Sequence, residues 1–453
     1  MSKLREFSAV CRIAVGALAA VLMLASVAWG GDTENVLYSF QGGSDGSEPS
    51  GGVVFDQNGN LYGATSYGGG SSCAPLTTCG TVFELTPGAG GWTETVLYVF
   101  KGKAYNDGDI PSGGVILDGA GNLYGVTGYG GGGNCYLSGT KAGCGTVYKL
   151  TPNGSTWTET ILYSFHGGKD GNFPAGNLVF DAAGNLYGST LFGGGRGNCG
   201  SIYGYCGTIF ELSPPSGNGG AWTEKVLYSF KGGNDGASPD GALIFDKQGA
   251  LYGTTEFGGG SSNCTWHEDG CGTVFELKPP AKKGGPWTES LLHRFEGYQD
   301  GDGQWPAAGL TFDSKGNLYG MTLTGGKGGS GTVFQLRPRR AGAWSEAILY
   351  AFTGGNDGVA SSGGLIFDGE GNLYGTSLGG SYHGAVFELS PPLMQDGAWT
   401  LTDLYDFKGP PDAGWPYAGV ILDNAGNIYG TTLYGGTGQG CDDGCGTVFE
   451  VTP

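Results

Sequence analysis

Gly51-Gly52-Val53-Val54-Phe55-Asp56-Gln57-Asn58-Gly59-Asn60-Leu61-Tyr62-Gly63-Ala64-Thr65 opens a unit that continues with Gly80-Thr81-Val82-Phe83-Glu84-Leu85 and ends on Trp92-Thr93-Glu94-Thr95-Val96-Leu97-Tyr98-Val99-Phe100. Its apolar runs are short, rich in β-branched and aromatic residues, and separated by Gly, Pro, Asn and Asp. That is the punctuation of strands joined by tight turns. The Asn-Leu-Tyr-Gly element starts again, with small variations, at Asn122, Asn185, Ala250, Asn317, Asn372 and Asn427, so the unit of about sixty residues is used seven times.

Each unit reads as four strands. Strand A is the Gly-Gly-Leu-Ile-Phe-Asp run, as at Gly363 to Asp368, and a tight turn carries it into strand B, Asn-Leu-Tyr-Gly-Thr. A Gly-rich loop precedes strand C, Gly-Thr-Val-Phe-Glu-Leu, and a Thr-Pro-x-Gly-Gly turn opens strand D at the Trp. Seven units of four strands predict an all-β, seven-bladed β-propeller with four-stranded blades. The ends of the chain predict how it closes. Residues 32–40 read as a D strand with no A, B or C before it, and Gly446 to Val451 is a C strand with no D after it. Pairing the two seals the ring and removes two sheet edges. An open solenoid would need capping units, and none is legible.

Composition agrees with one large β domain at 31–453. Gly accounts for 97 of 453 residues, aromatics for 12% and charged residues for 14%. Residues 1–30 read as a signal peptide: Lys3, Arg5 and Arg12 precede the apolar run Ile13 to Val27, which ends in small residues. The protein is therefore expected to be secreted or periplasmic, with no membrane span in its mature chain. Removing the leader takes a net +2 from a formal charge of −19 and leaves −21. Such a field excludes nucleic acid as a partner. A monomer is expected.

The repeat Gly-Gly-Leu-Ile-Phe-Asp-x-x-Gly-Asn-Leu-Tyr-Gly-Thr-Thr followed by Gly-Thr-Val-Phe-Glu-Leu-Thr-Pro resembles that of the bacterial choice-of-anchor tandem repeat GloVer-containing proteins. The resemblance covers essentially the whole chain after the leader. It implies an exported propeller-like protein and supplies no catalytic residues. This chain stops at Pro453 without a sorting or anchoring tail, a departure from the anchored members.

Ten cysteines occur as pairs in the B–C loops: Cys73 with Cys79, Cys135 with Cys144, Cys199 with Cys206, Cys264 with Cys271, and Cys441 with Cys445. Both members are missing together from units five and six, which predicts five local disulfides in an oxidising compartment. Zinc is disfavoured, because the pairs lack His at ligand spacing.

Two Asp series recur. Asp56, Asp118, Asp181, Asp246, Asp313, Asp368 and Asp423 end strand A and are expected to brace the following turn. Asp45, Asp107, Asp170, Asp235, Asp300, Asp357 and Asp412 sit in the D–A loops. Turn-making is again the first expectation for them, with an acidic, Ca²⁺-binding ring at the channel mouth as the alternative; no other cofactor is implied. Trp92, Trp157, Trp222, Trp287, Trp344 and Trp399 are expected to pack between blades or at their periphery, with sugar platforms as the alternative.

Function on a repeat scaffold is sought where the repetition fails. Unit four carries Trp266, His267, Glu268 and Asp269 between Cys264 and Cys271; two D–A loops carry Trp305 and Trp415; unit six has a short loop with Tyr382 and His383. These eight residues form the candidate ligand-binding set. Short loops on units five and six would leave a notch among them, suited to carbohydrate or a protein ligand. No Gly-x-Ser-x-Gly, His-Glu-x-x-His or phosphate-binding loop occurs. The reading is a non-catalytic binding module. A polysaccharide hydrolase or lyase on the same face, or a purely structural envelope protein, is the alternative.

Overall fold

The seven Asn-Leu-Tyr-Gly stretches become the fully buried B strands of seven antiparallel sheets. The computed structural model describes residues 33–70, 79–195, 206–217, 219–264, 270–282, 284–298, 301–379, 383–394 and 397–453. Residues 1–30, expected to be a leader, lie outside them. They hold strands, short 3₁₀ turns and no α-helix. No helix among them is long and apolar enough to cross a membrane.

Blade 1 shows the pattern. Val54–Phe55, Leu61–Thr65, Thr81–Gly88 and Gly91–Val99 pair in chain order, A to D. Strand A is shorter than its sequence suggests: only Val54 and Phe55 join the ladder, opposite Tyr62 and Leu61. The Gly pair before them is used differently. A Cβ on Gly51 would lie 2.2 Å from the backbone nitrogen of Gly114 in blade 2, and one on Gly113 would lie 2.3 Å from the carbonyl oxygen of Gly176 in blade 3. Neighbouring inner strands thus touch backbone to backbone around the axis, and only glycine permits that approach.

The ring closes as the chain ends predict. Thr33–Ser39 pairs antiparallel with Thr447–Thr452, from Thr33 opposite Thr452 to Ser39 opposite Thr447, and so becomes strand D of blade 7. Across the same junction the Thr431 hydroxyl donates to the Gly51 carbonyl at 2.9 Å.

The core lies between blades. Each of seven apolar clusters joins adjacent sheets, as where Leu37, Phe40 and Val448 of blade 7 meet Leu61, Phe83 and Leu85 of blade 1. Phe40 sits edge-on to Phe83 at 5.1 Å, and Phe100 likewise to Tyr148 at 5.0 Å, Phe165 to Phe210 at 5.2 Å and Phe407 to Phe449 at 5.0 Å. Each such pair adds about 1 kcal/mol beyond its burial. The Trp series packs here too: Trp157 lies against Tyr62 of the preceding blade at 6.3 Å, and Trp344 against Tyr252 at 6.4 Å. Half-buried between blades, these rings serve packing, the first of the two expectations.

Candidate functional site

The D–A loops and the ends of the B–C loops are stitched together on one face. Glu48 N–H donates to the Cys445 carbonyl, and Ile110, Phe173, Ser238, Trp305, Ala360 and Trp415 repeat that bond to Cys79, Cys144, Cys206, Cys271, Ser330 and His383. In six of these seven positions the residue is held at positive φ, from +53° at Glu48 to +61° at Trp305, just before a proline. Such a non-glycine conformation costs about 1 kcal/mol or more and persists where its surroundings enforce it. Trp305 and Trp415 of the candidate set therefore occupy equivalent, strained places in different loops. Trp305 packs against Phe257 at 6.4 Å; Trp415, 46% exposed, packs against Tyr434 at 5.9 Å.

His383 packs against the D–A loop that follows its blade. A Cβ built on Gly409 would lie 2.5 Å from its ring, just as one on Gly42 would meet the sulfurs of Cys445 and Cys441. His383 thus fills, in blade 6, the volume that the cystine fills elsewhere, while its carbonyl accepts the Trp415 N–H at 2.7 Å. Trp266, His267, Glu268, Asp269 and Tyr382 lie outside the described residues. Disulfides join Cys135 to Cys144, Cys264 to Cys271 and Cys441 to Cys445. Cys73 and Cys199, of the other two pairs, lie outside the described residues.

Two places after each of these seven residues, the chain turns into the channel. The positions are Ser50, Ser112, Ala175, Asp240, Ala307, Ser362 and Tyr417: small in five blades, large or charged in two. A cavity of about 430 Å³ opens here, walled by glycines and bearing Asp240, Asn177, Ser362 and Tyr417. Asp240 is half-buried but ringed by channel wall, and that desolvation raises its carboxyl to about 6. Glu256 lies close by; burial first, then the charge of Asp240, raises it to about 7. The Tyr417 phenol, with Ser362 beside it, is pushed up by burial and then by Asp240. It is still 37% exposed. Blades 4 and 7 thus bring two carboxyls and a phenol to one mouth. Sequence reasoning missed all three residues, although comparing the residue after each loop proline would have found Asp240 and Tyr417.

The first Asp series does brace its turns. Asp56 Oδ1 accepts N–H bonds from Asn58 at 2.8 Å and Asn60 at 2.9 Å, and its Oδ2 accepts from the Asn60 side chain. Burial would raise these carboxyls, but such bonds outweigh it and hold Asp56, Asp118, Asp181, Asp313, Asp368 and Asp423 below the usual range.

The second series, in its six described members, does not form an acidic ring at the channel mouth. Its members turn outward to strand D, the outermost strand. Asp45 Oδ2 accepts the Tyr38 hydroxyl at 3.1 Å and the Gln41 N–H at 2.7 Å, and Asp107, Asp170, Asp235, Asp357 and Asp412 repeat the bond from Tyr98, Tyr163, Tyr228, Tyr350 and Tyr405. In the fifth copy Asp302 accepts the equivalent backbone N–H, from Glu296 at 2.7 Å; Asp300 lies outside the described residues. Each Asp faces an acid on the next blade's strand D. Burial, with the charge of the facing Asp added, raises Glu34 to about 8, Glu94, Glu159, Glu224, Glu289 and Glu346 to about 7, and Asp403 to about 6.

Seven four-stranded sheets closed around a channel, with their loops gathered at one mouth, define a seven-bladed β-propeller. The chain belongs to the Gloeobacter/Verrucomicrobia repeat family, whose pattern matches residues 23–266 and 203–395. No curated protein matches it. Among solved structures it is similar to a proposed 6-phosphogluconolactonase of Bacteroides fragilis (16% identity, 89% of this chain and 88% of that one, TM-score 0.47). It is also similar to one of Bacteroides uniformis (13%, 78% and 83%, TM-score 0.46). A proposed glucose dehydrogenase of Thermus thermophilus is 14% identical over 93% of this chain and all of its own, with a TM-score of 0.41. No activity is carried over from these proteins.

Proposed function

We propose that the protein is an exported, non-catalytic binding module that takes carbohydrate at the channel mouth. One observation carries this reading: small residues ring the mouth except for Asp240 and Tyr417, and Trp415, two residues before Tyr417, is exposed. Aromatic faces stack on the apolar face of a sugar, and carboxyl and hydroxyl groups bond its hydroxyls. The disulfides and the leader-like residues 1–30 support export.

The test is a glycan array followed by calorimetry on the best neutral oligosaccharide. Trp415→Ala with Tyr417→Ala should weaken binding at least about tenfold, the worth of one lost stacking contact. Unchanged affinity would discard the mouth as the site. Release of reducing ends or unsaturated sugars by the intact protein would instead favour the hydrolase or lyase reading, with Asp240 and Glu256 as the acids.

A further inference from the structure

One blade boundary departs from the other six in a way that serves a metal. At six boundaries a strand-D tyrosine donates its hydroxyl to the loop Asp. Between blades 4 and 5 that tyrosine is His293, in Leu-Leu-His-Arg-Phe where the other units read x-Leu-Tyr-x-Phe. Its ring keeps the tyrosine's seat, edge-on to Phe295 at 4.6 Å. Its Nε2 lies 3.5 Å from Asp302 Oδ2 and 3.5 Å from Glu346 Oε1. We propose that His293, Asp302 and Glu346 bind one first-row divalent ion, Zn²⁺ being the best fit, which pins blade 4 to blade 5.

Three observations support the assignment. The first is geometric. The three ligand atoms all lie within 4.8 Å of one another. A four-coordinate ion with ligands at about 2.1 Å sets neighbouring ligand atoms about 3.4 Å apart, which the two 3.5 Å separations match. The second is unmet bonding: His293 Nε2 and Glu346 Oε1 are buried and have no hydrogen-bond partner among the described residues. The side chains of His293, Asp302 and Glu346 are only 19%, 11% and 16% exposed, so water does little to compensate.

The third observation is electrostatic. After the strand-D Phe, three units carry a lysine whose ammonium lies over the tyrosine ring, as Lys231 lies over Tyr228 at 5.7 Å. The residue in that place after His293 is Glu296. Glu296 thus adds negative charge near His293 where three other units carry a cation. An imidazole among three protein ligands favours zinc over Ca²⁺, which takes six to eight oxygens.

The experiment uses the untagged, disulfide-intact protein, stripped of metal and titrated with ZnCl₂ in a calorimeter, with retained zinc counted after gel filtration. About one Zn²⁺ per chain is expected, with a rise of a few degrees in melting temperature. His293→Tyr restores the residue of the six other boundaries, so it should fold normally while losing at least nine-tenths of the retained zinc. Glu346→Gln should lose it too, and His166→Ala should not. Absence of retained zinc in the native sequence, or equal retention by His293→Tyr, would overturn the proposal.

Discussion

Glu94→Gln should stabilise the protein at pH 8 and leave it unchanged at about pH 3.5, below the carboxyl's unfolded value. Glu94 stands on strand D of blade 1, one carboxyl oxygen buried with no hydrogen-bond partner among the described residues and the charge of Asp45 nearby. Its carboxyl is raised from 4.5 to about 7, burial being the larger cause and Asp45 the second. The folded chain therefore holds this proton more tightly than the unfolded chain. The stability it contributes is complete below the unfolded value and is lost as pH rises toward 7. At about 1.4 kcal/mol for each tenfold gain in proton affinity, the ceiling is about 3.4 kcal/mol. The group is partly open to solvent, and screening brings the expected effect down to about 1 kcal/mol. Glutamine keeps the shape and a donor toward Asp45 but cannot ionise. Urea unfolding followed by tryptophan fluorescence should show the variant gaining about 1 kcal/mol over the parent at pH 8 and nothing at about pH 3.5. An equal difference at both pH values, or a loss at pH 8, would refute the reasoning. Six other boundaries carry the same kind of acid, so the parent itself should weaken from pH 5 to pH 8.

Two further substitutions test the scaffold. Gly51→Ala drives a methyl against the Gly114 backbone and should cost about 2 kcal/mol or more in thermal melts, whereas Gly119→Ala, with nothing within 4 Å of its Cβ, should be neutral or slightly stabilising. Replacing Cys135 and Cys144 by Ser opens a loop of nine-residue separation and should cost about 2–3 kcal/mol on the chain-entropy account, measured under non-reducing conditions.

Most of the fold was legible because one solution is written seven times. A strand pattern that is ambiguous once becomes firm when Asn-Leu-Tyr-Gly and Gly-Thr-Val-Phe-Glu-Leu keep the same order in every unit, and the orphan strand at residues 33–39 then has one vacancy to fill. Side-chain direction was less legible. Spacing puts Asp45 and its counterparts in the D–A loops but does not say that they point back to Tyr38 and its counterparts rather than toward the axis. In the fifth loop, Asp300-Gly301-Asp302-Gly303 offers two registers, and the sequence-based choice of Asp300 differs from Asp302, the residue that makes the bond. The channel mouth went unread for a related reason. Asp240 and Tyr417 stand among serines and alanines and belong to no motif, so the axis that brings blades 4 and 7 together exists only in the folded ring. His293 was legible as a departure from Tyr, but its carboxylate neighbours come from a loop and from the next blade.

The pairing of Thr33–Ser39 with Thr447–Thr452 makes the first strand of the ring wait for its last. Six blades can be laid down as the polypeptide emerges, but until residues 447–452 arrive the assembly is a split washer with a raw edge on either side of the gap. Closure is thus a checkpoint on the seventh blade: a product broken off before Thr447 leaves its first strand with nothing to clasp, and remains visible to proteases and chaperones as unfinished.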